Sequence, residues 1–158
     1  MTLNQLVDAV AGHSAGAHRA SGLGLRNAAL ATTDPARVDG VWAISGIYDL
    51  APLLDTTLNQ RLRLDTGSAR AQSTLSQVGA TGVPAVWRVG GAETPAFLAQ
   101  NTRMHQRWQA QGHWSQCIEV PQADHFTVLQ DWAALRGPLA DGFERWWAQV
   151  AARHAAAG

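Results

Sequence analysis

Short apolar runs alternate along this chain with longer stretches in which apolar positions recur every three or four residues. Residues 6–11 read as a first strand, with Asp8 an awkward charge inside it. Residues 15–31, rich in Ala, Leu and Gly, read as a helix packed closely on its neighbours. Val41-Trp42-Ala43-Ile44-Ser45 is a second strand, ended by Gly46. Residues 84–89 form a third, ended by Gly90-Gly91, and residues 114–120 a fourth. Pro95 opens a helix over 95–110, because the N–H that proline lacks goes unused in a first turn. Residues 51–76 are more polar and fit short helices above the sheet. A last helix over 139–154 sets Phe143, Trp146, Trp147 and Val150 on one face. Packing against a sheet explains that face better than a binding stripe does.

Strands alternating with helices define an α/β fold: a mostly parallel sheet of about four strands flanked by helices. No repeat or linker divides residues 1–158, so a single domain is expected. A domain of about 150 residues buries roughly two-thirds of its unfolded surface, enough for a real core. The 12 basic and 12 acidic residues cancel and form no long run of one sign. That balance predicts neither a nucleic-acid partner nor an anionic membrane surface. No apolar run is long enough to span a bilayer, and the first residues lack the basic start of a signal peptide, so a cytoplasmic protein is expected. Cys117 is the sole cysteine, which excludes an intrachain disulfide; its strand position predicts a buried structural thiol.

The chemistry concentrates in Gly12-His13-Ser14-Ala15-Gly16, which falls between the first strand and the first helix. A Gly-x-Ser-x-Gly pattern there lets a strand turn sharply into a helix, holding the serine strained at the tip. Gly12 and Gly16 are expected to remove Cβ atoms that would clash. Ser14 is the expected nucleophile, and the Ala15 amide points to a developing oxyanion. A serine hydroxyl needs a base. Of the six histidines, His125 follows the fourth strand and the loop Pro121-Gln122-Ala123-Asp124, at the carboxyl edge of the sheet where ligands bind. His13, inside the elbow, is expected to point away. The acid should come between nucleophile and base in the chain, and Glu93 stands after the third strand. Glu93 also suits a charge near the helix opened by Pro95, and Asp124 is a rival beside His125.

The chain resembles the esterase and kynurenine formamidase-like branch of the α/β-hydrolases over residues 10–132. The resemblance rests on Ala11-Gly12-His13-Ser14-Ala15-Gly16-Ala17-His18, Ser45-Gly46-Ile47-Tyr48-Asp49-Leu50, Leu62-Arg63-Leu64-Asp65, Gly90-Gly91-Ala92-Glu93-Thr94-Pro95-Ala96-Phe97 and Asp124-His125-Phe126. It implies hydrolysis of small carboxylic esters or aryl formamides through an acyl-serine, with Ser14 as nucleophile, Glu93 as acid, His125 as base, and no metal or organic cofactor. Members of that branch carry early strands and a His-Gly-Gly-type loop before the elbow; here 13 residues precede Ser14. The chain therefore looks like a C-terminal portion of a larger, here truncated, hydrolase. Its sheet edge would then be open to self-association. The alternative expectation is a catalytically impaired remnant that serves folding and assembly.

Overall fold

A computed structural model describes residues 8–31, 34–80, 83–130 and 137–157. Its strands β1 (Ala9–His13), β2 (Gly40–Ile44), β3 (Ala85–Gly90) and β4 (Ser115–Val120) lie in that order in one sheet, each parallel to the next. Parallel neighbours need crossovers. These are α1 (Ala15–Arg26), then the short helices α2 (Asn59–Leu62), α3 (Thr66–Gln72) and α4 (Thr74–Gln77), then α5 (Pro95–Ala110). Helix α6 (Pro138–Ala157) closes the described chain.

Every residue of β2 and β3 is buried, and the two-residue strand period divides them between two cores. Val41, Ala43, Ala85 and Trp87 meet Ala17 and Ala20 of α1 and Met104 and Trp108 of α5. Trp42, Ile44 and Val86 meet Leu139, Trp146 and Val150 of α6 on the other face. Phe143 and Trp147 pack partly on that second core, with the Trp42 and Trp146 rings 5.3 Å apart. The aromatic face of the last helix is thus core. Among the described residues, β1 and β4 are the sheet edges, and no helix is long and apolar enough to cross a membrane.

Several boundaries differ from the sequence reading, each for a local reason. The first strand spans residues 9–13, because Asp8 stays outside it and takes the Asp39 carboxylate on its N–H at 2.9 Å. Residues 6 and 7 of the expected strand lie outside the described residues. The first helix stops at Arg26 and tightens into a 3-10 turn at Asn27–Ala29. There the Asn27 side chain donates to the Val38 carbonyl at 2.6 Å and accepts from the Val38 N–H, which draws the chain out toward β2. Asp65 and Ser68 form a reciprocal capping box that starts α3 within the polar stretch. Cys117 is exposed, contrary to expectation, because β4 is an edge strand with several outward positions.

Candidate active site

Each strand is followed, at the same edge of the sheet, by a polar or ionisable residue. Ser14 follows β1, Ser45 follows β2, Glu93 stands three residues past β3, and His125 sits in the loop after β4. In open α/β sheets this carboxyl edge is where ligands bind.

Ser14 has φ 55° and ψ −120°, a combination that costs a non-glycine residue roughly 1–3 kcal/mol. The strain persists because both flanks are fixed. The Ser14 N–H continues the parallel ladder to the Ile44 carbonyl at 2.9 Å, and its carbonyl accepts from Ala17 N–H at 3.0 Å as α1 begins. Gly12 is required by close approach: a Cβ there would overlap the Gly16 carbonyl. Gly16 is different. A Cβ at that position would meet nothing within 4 Å among the described atoms, so the expected clash on that side is absent. Ala15 is exposed and opens α1, leaving its N–H beyond the reach of the helix's own carbonyls.

Glu93 is buried, its side chain 1% exposed, and its carboxylate is gripped from three directions. One oxygen accepts from His125 Nδ1 at 2.7 Å. The other accepts from the Gly90 N–H at 2.8 Å and from the Ser45 hydroxyl. The turn that presents Glu93 is pinned to the loop after β4, with Gly91 N–H on the Val120 carbonyl at 2.7 Å and Ala92 N–H on the Ala123 carbonyl at 2.9 Å. Thr94, not Glu93, precedes α5 as its cap residue. Asp124 turns away from His125: its carboxylate accepts from the N–H groups of Phe126 at 2.9 Å and Thr127 at 2.8 Å, capping the next turn. Those hydrogen bonds, first from Thr127, hold the Asp124 carboxyl below its ordinary range. Asp49 pairs instead with Arg103 at 3.0 Å.

His125 is 26% exposed along its side chain, and aromatic rings crowd it: Phe97 at 4.8 Å, Phe126 at 5.6 Å and His13 at 4.5 Å between centroids. No hydrogen bond joins His125 to the Ser14 hydroxyl among the described residues; such contacts tighten when substrate binds. His13, expected to face away, faces His125, and burial together with the neighbouring His125 holds its pKa below the ordinary value. Among the described residues, no group of three or more His, Cys, Asp or Glu side chains is placed to hold a metal ion.

Sequence reasoning missed Ser45 and the orientation of His13. Ser45 is fully buried at φ 51°, an uncommon backbone state for a serine. Its position at the end of β2, level with the other strand ends, was the available signal.

The sheet order, the two helical layers and the strained serine between β1 and α1 define an α/β-hydrolase fold. Within it, the chain is esterase- and kynurenine formamidase-like. It is 29% identical over 124 residues to a kynurenine formamidase of Danio rerio, a match covering 75% of this chain and 42% of that protein. The solved structure of a provisionally named thioesterase from a Silicibacter species is 31% identical, with TM-score 0.73, covering 86% of this chain and 50% of that one. A truncated carbohydrate esterase from gut microbiota shares the fold at TM-score 0.73 and 14% identity, covering 92% of this chain and 60% of its own. No family model matches the chain. The chain thus spans under half the length, 42%, of the curated relatives it matches.

Proposed function

We propose that the chain carries the catalytic machinery of a serine hydrolase acting on small carboxylic esters or aryl formamides. The observation that carries this reading is the Glu93–His125 Nδ1 hydrogen bond at 2.7 Å, at the sheet edge where Ser14 stands strained. With Nδ1 donating to the carboxylate, His125 Nε2 is free to accept a proton. Ser14 attacks the carbonyl as His125 takes its proton, and the buried Glu93 carboxylate stabilises the imidazolium. The Ala15 amide faces the oxyanion. His125 returns the proton to the leaving alcohol or amine, and water repeats the sequence to release the acyl or formyl group. The kinship with kynurenine formamidase supports a formamide, and the esterase neighbours support an ester.

The alternative is slow turnover, up to a remnant with no catalysis. The elbow contributes the Ala15 amide, and each further oxyanion donor is worth about 3–4 kcal/mol, so the rate depends on how many donors the hole holds. A fluorophosphonate probe decides between the two: covalent labelling of Ser14, absent in Ser14→Ala, supports the hydrolase, and an unlabelled Ser14 in folded protein refutes it. Turnover of p-nitrophenyl acetate then measures how complete the oxyanion hole is.

A further inference from the structure

The loop that carries His125 makes few bonds through His125 itself. Its neighbours are tied down: Ala123 N–H reaches the Val120 carbonyl at 3.3 Å, the Ala123 carbonyl accepts from Ala92 N–H, and Asp124 caps the turn that follows. Among the described residues, one hydrogen bond engages the His125 peptide carbonyl, and it comes from the far end of the sheet. His13 Nε2 lies 2.8 Å from that oxygen. His13 is the last residue of β1, next to Ser14 in the chain, and two strands separate β1 from β4 in the sheet.

A carbonyl oxygen only accepts, so His13 Nε2 must carry the hydrogen, and the bond fixes the tautomer of His13. The side chain is anchored at its base by strand pairing, His13 lying opposite Ile44. Its ring lies against the His125 ring at 4.5 Å, tilted by 44°. The base is therefore bracketed. Glu93 sets its rotation through Nδ1, while His13 sets its height through the backbone and blocks one face of the ring. The last residue of β1 and the residue that follows it then serve the two sides of a proton transfer: Ser14 carries the hydroxyl, and His13 holds the loop that carries the acceptor.

We propose that His13 is a positioning residue that clamps the His125 loop to the nucleophile's own strand and so fixes the distance between base and nucleophile. This rests on the hydrolase reading of Ser14 and His125. A neutral amide of the right reach can replace the clamp. In glutamine the terminal nitrogen extends about as far as Nε2; in asparagine it falls short.

The test uses the full chain with His13→Gln, His13→Asn and His13→Ala. Two readouts are taken on each: the rate of Ser14 labelling by a fluorophosphonate, and the downfield imidazole Nδ1 proton of His125 by NMR. We expect His13→Asn and His13→Ala to slow labelling by roughly ten- to a hundredfold and to broaden or lose the His125 proton signal. His13→Gln should recover most of both. If His13→Ala fails to fold, the Gln and Asn variants decide the matter, since they differ in reach and not in polarity. Equal behaviour of Gln and Asn, or a wild-type labelling rate and signal in a folded His13→Ala, overturns the clamp. Absence of labelling in the wild-type chain refutes the hydrolase reading, and the NMR signal then still shows whether His13 holds His125.

Discussion

Replacing Ser45 with alanine removes the hydroxyl that donates to Glu93 and leaves the carboxylate with the Gly90 N–H on one oxygen and His125 on the other. Ser45 is fully buried, so no bulk water stands ready to take the vacated place. A hydrogen bond to a charged group contributes about 1.5–3 kcal/mol. For a domain of this size each kcal/mol moves the melting temperature by roughly 2–4 °C, so Ser45→Ala should lower Tm by about 3–12 °C. Catalysis should suffer too, because a Glu93 free to rotate holds His125 less firmly. If about half of the lost energy reaches the transition state, kcat falls roughly three- to tenfold. KM should hardly change, since Ser45 is fully buried and open to no ligand. Ser45→Gly separates the hydrogen bond from the backbone. It loses the same hydroxyl, but glycine accepts φ 51° freely, so it should melt above the alanine variant. The assays are thermal denaturation by circular dichroism and ester hydrolysis by the same preparations. An alanine variant that melts and turns over like the wild type would show that the Ser45–Glu93 contact contributes nothing, and the three-donor account of Glu93 would fall.

Other expectations follow from the same geometry. Glu93→Gln keeps the shape but removes the charge that, as the proposed acid, would stabilise a His125 imidazolium, so kcat should drop on the order of 10³–10⁴-fold; a loss under tenfold in an ester assay would exclude Glu93 as the acid. Gly12→Ala should fail to yield folded protein on expression, because its Cβ overlaps the Gly16 backbone. Gly16→Ala meets nothing within 4 Å and gains helix propensity, so urea titration should find it more stable by about 0.5–1 kcal/mol. His13 and His105 are both held below the ordinary histidine pKa of 6.5, His105 by burial and His13 by burial and then by His125. The unfolded chain therefore binds protons that the native chain refuses. Stability from these two is full above about 6.5 and falls as pH drops through that value toward their folded pKa values, and His105→Gln should flatten the corresponding fall in Tm.

The layered α/β architecture was legible because β2 and β3 are buried on both faces and read as apolar runs, broken only by Arg88 in β3, between polar or glycine punctuation. Pro95 announced the start of α5 for a backbone reason that needs no tertiary context. The less regular segments were harder. Helix α1 ends early because Asn27 bonds to Val38, eleven residues on, and no local pattern encodes that partner. Cys117 looked interior because a free cysteine in a strand is usually buried; its exposure follows from the place of β4 at the edge of the sheet, which strand order decides.

The same division runs through the site. Ser14, Glu93 and His125 could be singled out because each residue type is demanded by a chemical task and each follows a strand. Ser45 and His13 carry no such mark. Serine at a strand end and histidine inside an elbow are ordinary in isolation, and both acquire meaning only from pairings across 48 and 112 residues of chain. Parallel topology creates those pairings. When four strands run the same way, their carboxyl ends meet at one edge, and every residue there becomes a neighbour of residues distant in sequence. A candidate reacting residue is conspicuous by its chemistry, while a residue that holds it is conspicuous only by its neighbours. The sheet order β1-β2-β3-β4 places Ser45 between the strands that bear Ser14 and Glu93. Once that order is known, a buried hydroxyl at the end of β2 has the Glu93 carboxylate for a partner, and its strained φ of 51° is the backbone cost of aiming it there.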